Sequence, residues 1–236
     1  MDAAKSSSAA AAPVAVSSIR RVIAQRMLAS HLATAPVTLT TTIDATNLVN
    51  LRDQFKSAPV STVPSYTDLL IKLTALALLK HPLLNSRWEN EQIVTPTSVH
   101  IGIAVDTDAG LLVPVVRDVA ALDIPSLSRV SRDLIDRARQ RQLTSDELRG
   151  GTFTITSLGS FGIDAFTPII NSPECAILGV GRIQKRPAVV DDRVVVRDQL
   201  TLSLTFDHRI VDGAPAAKFL QTLTSLIENP VPALLS

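Results

Sequence analysis

The stretch Leu200-Thr201-Leu202-Ser203-Leu204-Thr205-Phe206-Asp207-His208-Arg209-Ile210-Val211-Asp212-Gly213 alternates apolar and hydroxyl side chains and then breaks into charge. Period-two alternation marks a strand with one face in a core. The strand runs straight into a histidine, with an aspartate four residues on and a glycine behind it. His208 therefore stands at the end of a rigid element, Asp212 can fix the geometry beside it, and Gly213 allows a tight turn into a following helix. A neutral imidazole with a pKa of about 6.5 can accept a proton from a thiol of about 8.5. General-base help of this kind is worth roughly 10² to 10⁴ in rate. A satisfied structural histidine at a strand end explains the same residues, and His208 and Asp212 alone do not separate the two readings.

A second element points the same way. In Gly150-Gly151-Thr152-Phe153-Thr154-Ile155-Thr156-Ser157-Leu158-Gly159, the threonines at 152, 154 and 156 share one strand face. A hydroxyl held at such a strand's end can donate to an oxyanion as it forms. Read alone, three threonines are also ordinary strand formers.

Around these motifs, helices and strands mingle. Ser17 and Ser18 can cap a helix with Ile19, Val22, Ile23 and Met27 on one face, ending before Ala35-Pro36. Val37 to Ile43 alternates as a strand, and Asp44 can cap a helix through about Lys56. The nearly all-apolar helix Tyr66 to Lys80 belongs between layers or at a contact between subunits. Strands are expected at Val99 to Val105 and Leu111 to Val116, joined by a turn at Asp106 to Gly110. A helix from Pro125 has Leu127, Val130, Leu134 and Ala138 on its inner face. Arg129, Arg132, Arg137, Arg139 and Arg141 lie outward, as a solvated face or as an attractor of a phosphorylated ligand or acidic partner. Strands at Thr152 to Ser157 and Ala176 to Val180, a hairpin turning at Asp191-Asp192, and a last helix from Ala214 to Ile227 complete the chain. No strand-helix-strand repeat recurs at fixed spacing, so the pattern is one α+β domain with a mixed sheet and not a doubly wound one.

Composition removes other functions. Lys plus Arg (23) balances Asp plus Glu (22), so no net field favours nucleic acid or membrane. Aromatics are only 3% of the chain, too few for stacking platforms. No apolar run reaches the roughly 18 residues of a membrane span. The lone Cys175 rules out an internal disulfide and suits a reducing compartment, the cytoplasm or, in a eukaryote, the mitochondrial matrix. It reads as a buried core thiol. His31, His81 and His100 show no zinc-ligand spacing, and no metal is expected. Residues 1–16 are mostly Ala and Ser with one Pro and read as the remnant of a flexible linker, or as a disordered native N-terminus; residues 17–236 read as the folded domain.

Taken together, the motifs resemble one family, the catalytic domain of the dihydrolipoamide acyltransferases of 2-oxo acid dehydrogenase complexes. The resemblance rests on residues 207–213 and 151–159, on Phe166-Thr167-Pro168-Ile169-Ile170-Asn171-Ser172-Pro173-Glu174, on Arg20-Arg21-Val22-Ile23-Ala24-Gln25-Arg26-Met27 and on Ile101-Gly102-Ile103-Ala104-Val105-Asp106-Thr107. It covers about residues 17 to 234 and implies a chloramphenicol acetyltransferase-like two-layer fold. It also implies that His208 deprotonates coenzyme A, that a hydroxyl at Thr156 steadies the oxyanion, and that coenzyme A is a substrate. The acyl group would arrive on a lipoyl group carried by a separate domain. Asp212 would hold the active-site loop through a salt bridge to Arg20, with Gly213 supporting the turn. The family further implies homotrimers building a cubic or dodecahedral core with the other subunits of the complex, and His208 and Thr156 coming from different copies. The Leu69 to Leu79 helix and the Val231 to Leu235 segment are candidate contact surfaces. The run after Gly213 favours acetyl or branched-chain acyl groups over succinyl. Two other readings stand beside this one: a free-standing acetyltransferase of small molecules, and a non-catalytic scaffold of such a complex, which would be expected to lose the histidine that this chain keeps.

Overall fold

The computed structural model describes residues 15–59, 62–108 and 110–235. Of the expected linker, residues 1–14 lie outside the described residues. The alternating stretch forms the inner half of a long strand, β8 (Arg193–Asp207). Leu200, Leu202, Leu204 and Phe206 all face the core with essentially no exposure. On the opposite face, Thr201, Ser203 and Thr205 meet Thr42, Thr40 and Thr38 of β1 (Pro36–Asp44) across the ladder. Cross-strand hydroxyl pairs of this kind satisfy both partners across the ladder.

β8 is the second strand of a six-stranded sheet. The others are β4 (Ile101–Ile103), β5 (Val115–Val116), β6 (Phe153–Ser157) and β7 (Ala176–Val190), in the order β1-β8-β7-β6-β4-β5. β6 runs parallel to β4 and β7, and the remaining pairs are antiparallel, so the sheet is mixed. β2 (Arg87–Glu89) and β3 (Gln92–Val94) form a separate hairpin. The helices are α1 (Ser18–Ala33), α2 (Thr46–Ser57), α3 (Tyr66–Lys80), α4 (Ile124–Arg139), α5 (Gly213–Glu228) and the short α6 (Pro230–Leu235).

One layer of helices covers the sheet face that carries Phe153, Ile155 and Phe206, and Phe153 meets Phe219 of α5 at 6.0 Å between ring centres. α3 is the central helix of that layer. Its capping box pairs Ser65 with Asp68, and Leu69, Leu70, Ile71 and Leu73 are buried as core, while Leu79 near the helix end is exposed. α1 lies apart from this layer. Ser17 caps it through Arg20 N–H, yet Ile19, Val22, Leu28 and Leu32 stay exposed within one copy.

Several expectations are corrected. The 99–116 hairpin shrinks to β4, the two-residue β5 and an isolated Val105–Leu112 bridge, because Pro114 has no N–H to give the ladder. β7 continues ten residues past Val180 as the partner of the outer half of β8, and Asp191 and Asp192 form its turn, both at positive φ. On α4 the inner face holds Leu127, Ser128, Ser131, Leu134 and Ala138, while Val130 faces outward. Ser131 is drawn inward because it donates to the buried Asp68 carboxylate. Asp44 accepts from Thr46 N–H but is not the helix cap; Ala45 holds that position.

Candidate active site

β8 delivers His208 to the edge of the molecule, where the sheet ends and α1 returns. His208 N–H donates to Ala35 carbonyl at 2.9 Å, which ties the strand end to the residue just past α1. The His208 ring is partly exposed, and its Nδ1 lies 3.5 Å from Asp212 Oδ1, close enough for electrostatic contact. Asp212 occupies the N-cap position of α5, but its side chain makes no cap bond and is 82% exposed.

The side chain that anchors this loop is Asp207, one residue before the histidine. It is 1% exposed and accepts from Ala35 N–H, Arg209 N–H and the Arg209 guanidinium. Burial works against its charge, but these donors outweigh burial and hold its pKa below the ordinary aspartate value. The Arg209 guanidinium in turn stacks over Trp88 at 4.6 Å. The loop is thus clamped from beneath by groups adjacent to His208 in sequence. Sequence reading missed this pair. The available signal was a charged residue continuing the hydroxyl face of a strand, with a cation two positions later.

The Arg20–Asp212 bridge is not made within one copy. α1 ends beside Asp207, and Arg20 lies 15 residues before Ala35, which is about 20 Å along a helix. The Arg20 guanidinium sits instead by Gly110, 3.9 Å from where a Cβ would stand. Gly213 has no special conformation: it opens α5, and a Cβ there would meet nothing within 4 Å.

Thr156 lies two strands away from β8. It is level with Gly179 on β7, which is level with Ser203 on β8, five residues short of His208. That places the two Cα atoms about 17 Å apart along the strands and about 10 Å across them. Histidine and threonine side chains together span less than half of that separation. One copy therefore brings His208 and Asp212 together but keeps Thr156 apart.

Thr156 opens into a cavity of about 210 Å³ under α1, lined by Met27, Leu111, Val113, Phe166, Ile169 and Ile177, with Thr154 and Asn171 as its other polar groups. No charged side chain is among the described residues that line it. Behind its floor, Thr154 Oγ1 lies 2.6 Å from Glu174 Oε2, and Asn171 Nδ2 donates to Glu174 Oε1 at 3.0 Å. Burial pushes the Glu174 carboxyl up to about 8 in spite of these bonds and the Arg87 charge. Cys175 beside it is fully buried, its thiol pushed up to about 12 by desolvation, as expected of a core thiol. Thr152 is bonded to Asn85 and to the His100 backbone and supports the strand rather than the cavity. Of the α4 arginines, Arg137 pairs with Asp133 and Glu147, and Arg141 lies beyond the helix end. Among the described residues no three His, Cys, Asp or Glu side chains gather, and no helix is long and apolar enough to cross a membrane.

Known proteins resemble this chain in sequence and fold. Residues 9–235 match the family model described as 2-oxoacid dehydrogenases acyltransferase, catalytic domain. The dihydrolipoyllysine-residue acetyltransferase component of the acetoin cleaving system of Bacillus subtilis (strain 168) is 40% identical over 225 residues, covering 94% of this chain and 56% of that protein. The chain thus spans about half the length of the curated relatives it matches. A solved dihydrolipoamide acetyltransferase of Azotobacter vinelandii superposes with a TM-score of 0.91 at 34% identity, covering 95% of this chain and 94% of that one. That work concerned a serine, a histidine and an asparagine in its catalytic mechanism, the serine 52 residues before the histidine and the asparagine four after it. The cubic core of the pyruvate dehydrogenase multienzyme complex gives a TM-score of 0.92 at 33% identity, covering 99% and 98%. A chloramphenicol acetyltransferase, 11% identical with a TM-score of 0.56, shares the fold alone. With a matching family model over nearly its whole length, this chain belongs to the 2-oxoacid dehydrogenase acyltransferases, as their catalytic domain.

Proposed function

We propose that the chain exchanges an acyl group between dihydrolipoyl-lysine of a lipoyl domain and coenzyme A, at a site shared by two copies. His208 takes the proton of the coenzyme A thiol. The thiolate attacks the carbonyl carbon of the acyl-dihydrolipoyl thioester, and the resulting oxyanion accepts a hydrogen bond from Thr156 of the adjoining copy. The carbon–sulfur bond to the lipoyl group then breaks, and protonated His208 returns its proton to the leaving sulfur. One thioester replaces another, so the exchange is nearly thermoneutral. Asp212, 3.5 Å from Nδ1, steadies the transient imidazolium. Asp207, Arg209 and Trp88 keep the ring's backbone fixed.

The observation that carries the reading is the placement of His208 and Thr156. They stand 52 residues apart in sequence, the same spacing as the histidine and serine studied in the Azotobacter vinelandii enzyme, and about 20 Å apart in space. A pair so placed can act together only across a boundary between copies. Copies would close in a ring, as trimers of a larger core within a dehydrogenase complex. The uncharged cavity at Thr156 suits an acetyl or branched-chain acyl group, since a succinyl carboxylate buried there would have no counter-charge. The test is coenzyme A-dependent turnover of acetyl-, isobutyryl- and succinyl-dihydrolipoamide by the intact chain. Acetyl or isobutyryl should be preferred, and His208→Ala should abolish turnover while leaving assembly unchanged. Full turnover by that variant would overturn the base assignment, and preferred succinyl transfer would overturn the acyl assignment.

A further inference from the structure

One wall of the cavity at Thr156 is a chain segment with little of its own to hold it. Phe166, Pro168 and Ile169 line that cavity. Yet among the described residues the stretch 165–169 makes no hydrogen bond. Its anchors lie at its two ends. After it, the Ile170 carbonyl accepts from Ser30, and before it stands Asp164.

Asp164 is gripped by β7. Its Oδ1 accepts from Arg182 Nε and, at 2.9 Å, from Gln184 Nε2, and its Oδ2 accepts from the Arg186 guanidinium at 2.9 Å. The backbone joins in, with Arg182 N–H donating to the Ile163 carbonyl at 2.8 Å. This grip depends on an irregularity: the pairing of β7 with β8 slips between Val180 and Ile183. Side chains alternate along a strand, so a slip changes which residues share a face. Before it, the odd-numbered Ile177 and Gly179 face the 165–169 segment. After it, the even-numbered Arg182, Gln184 and Arg186 turn to the same side and meet Asp164.

Phe166 follows Asp164 by two residues, at most about 7 Å of chain, so grip and ring move as one unit. The ring lies over Gly179, where a Cβ would stand 3.2 Å from Phe166 Cζ and 3.3 Å from Pro168 Cδ. Gly179 is the ladder partner of Thr156. The position of Asp164 thus sets the position of an aromatic wall beside that hydroxyl.

We propose that Asp164 is a positioning residue which, clasped by Arg182, Gln184 and Arg186, holds Phe166 as the wall against which the apolar arm of the acyl-dihydrolipoyl substrate packs. The inference rests on the acyltransfer reading above. Asp164 touches no reacting atom and acts through Phe166. An apolar wall binds ground state and transition state alike, so its loss appears in KM and not in kcat. It serves the acyl donor, so KM for coenzyme A should stay where it is.

The test measures acetyl transfer by the intact chain carrying Asp164→Ala, Phe166→Ala or both. Ion pairs as exposed as these add little to stability, so Asp164→Ala leaves a folded chain. It should raise KM for acetyl-dihydrolipoamide about tenfold, with kcat within about twofold and KM for coenzyme A unchanged. The double variant should be no worse than Phe166→Ala alone, since one residue acts through the other. Arg186→Gln, which loosens the clasp from the strand side, should raise the same KM about threefold. An unchanged KM in Asp164→Ala, equal rises in both KM values, a fall in kcat alone, or losses that multiply in the double variant would each overturn the proposal. One readout needs no turnover: a ¹⁹F label on the Phe166 ring should give one sharp resonance in the parent and a shifted or broadened one in Asp164→Ala. An unchanged resonance overturns the proposal, and it does so even if the chain transfers no acyl group, an outcome that would fell only the earlier reading.

Discussion

Mixing two inactive variants should restore turnover. The register of β6, β7 and β8 puts His208 about 17 Å along and about 10 Å across from Thr156 in the same copy, so under the proposed mechanism each site takes its base from one copy and its hydroxyl from the next. Co-expression of His208→Ala with Thr156→Val tests this. Loss of the base should cost roughly 10² to 10⁴ in turnover and loss of the hydroxyl roughly 10², so each parent alone retains about 1% or less. In a ring assembled at random from equal amounts, about a quarter of the sites receive His208 from a Val copy and Thr156 from an Ala copy, whatever the ring size. Turnover should therefore rise to about a quarter of the unsubstituted level. The reciprocal experiment mixes unsubstituted chain with the double variant: shared sites leave about a quarter active, and sites within one copy would leave about half. The assay is acetyl transfer to coenzyme A, with native mass spectrometry to verify that mixed rings form. Mixed rings with no more activity than the average of their parents would refute the reasoning.

The buried Glu174 should leave a signature in stability. Its folded pKa of about 8 lies above the unfolded value of 4.5, so its contribution is full at acid pH and is lost as pH rises to about 8. Urea unfolding of the parent relative to Glu174→Gln should fall by roughly 4 kcal/mol between pH 5 and pH 8 and then level off; parallel curves would show that the carboxyl is not buried as an acid. Gly181→Ala should cost about 3 kcal/mol or more in the same assay, because its Cβ would stand 1.9 Å from the Asp164 carbonyl oxygen. Gly213→Ala, with open space around it, should change stability by no more than about 0.5 kcal/mol, in the stabilising direction. A tolerated alanine at 181 would contradict the close packing of that loop on β7. Cys175, with its thiol pushed up to about 12, should resist a thiol reagent at pH 8 in the folded protein and react fully in denaturant.

Elements whose signal is local were legible in the sequence. β8 follows from seven alternating residues, α3 from its nearly all-apolar run, and α1 from Ser17 ahead of a periodic stretch. The turn of the β7–β8 hairpin was legible at Asp191-Asp192, but the unbroken course of β7 from Val180 into it was not. Gly181, Arg182, Gln184 and Lys185 show no alternation, since beyond Val180 the strand pairs with β8 alone and has no core to pattern it. The β5 strand failed for a different reason: its apolar residues signalled burial, while Pro114 prevented the ladder that burial would otherwise support.

The same division between local and distant signals runs through the site. His208 was found because strand and histidine are adjacent, and Asp207 with Arg209 was open to discovery for the same reason. Glu174 was hidden, since nothing in Pro173-Glu174-Cys175 shows that the carboxyl will meet Thr154, twenty residues earlier, away from water. Arg20 is the opposite case. Its pairing with Asp212 came from resemblance, and a resemblance fixes which residues correspond without fixing which copy they come from. Within one copy the length of α1 forbids the contact, and the need it was meant to fill is met by the Asp207–Arg209 clamp beneath the histidine. Within one copy the loop is held by Asp207 and Arg209. The Asp212 carboxylate, exposed at the start of α5 and 3.5 Å from Nδ1, faces the imidazole instead, which is where the proposed mechanism uses it.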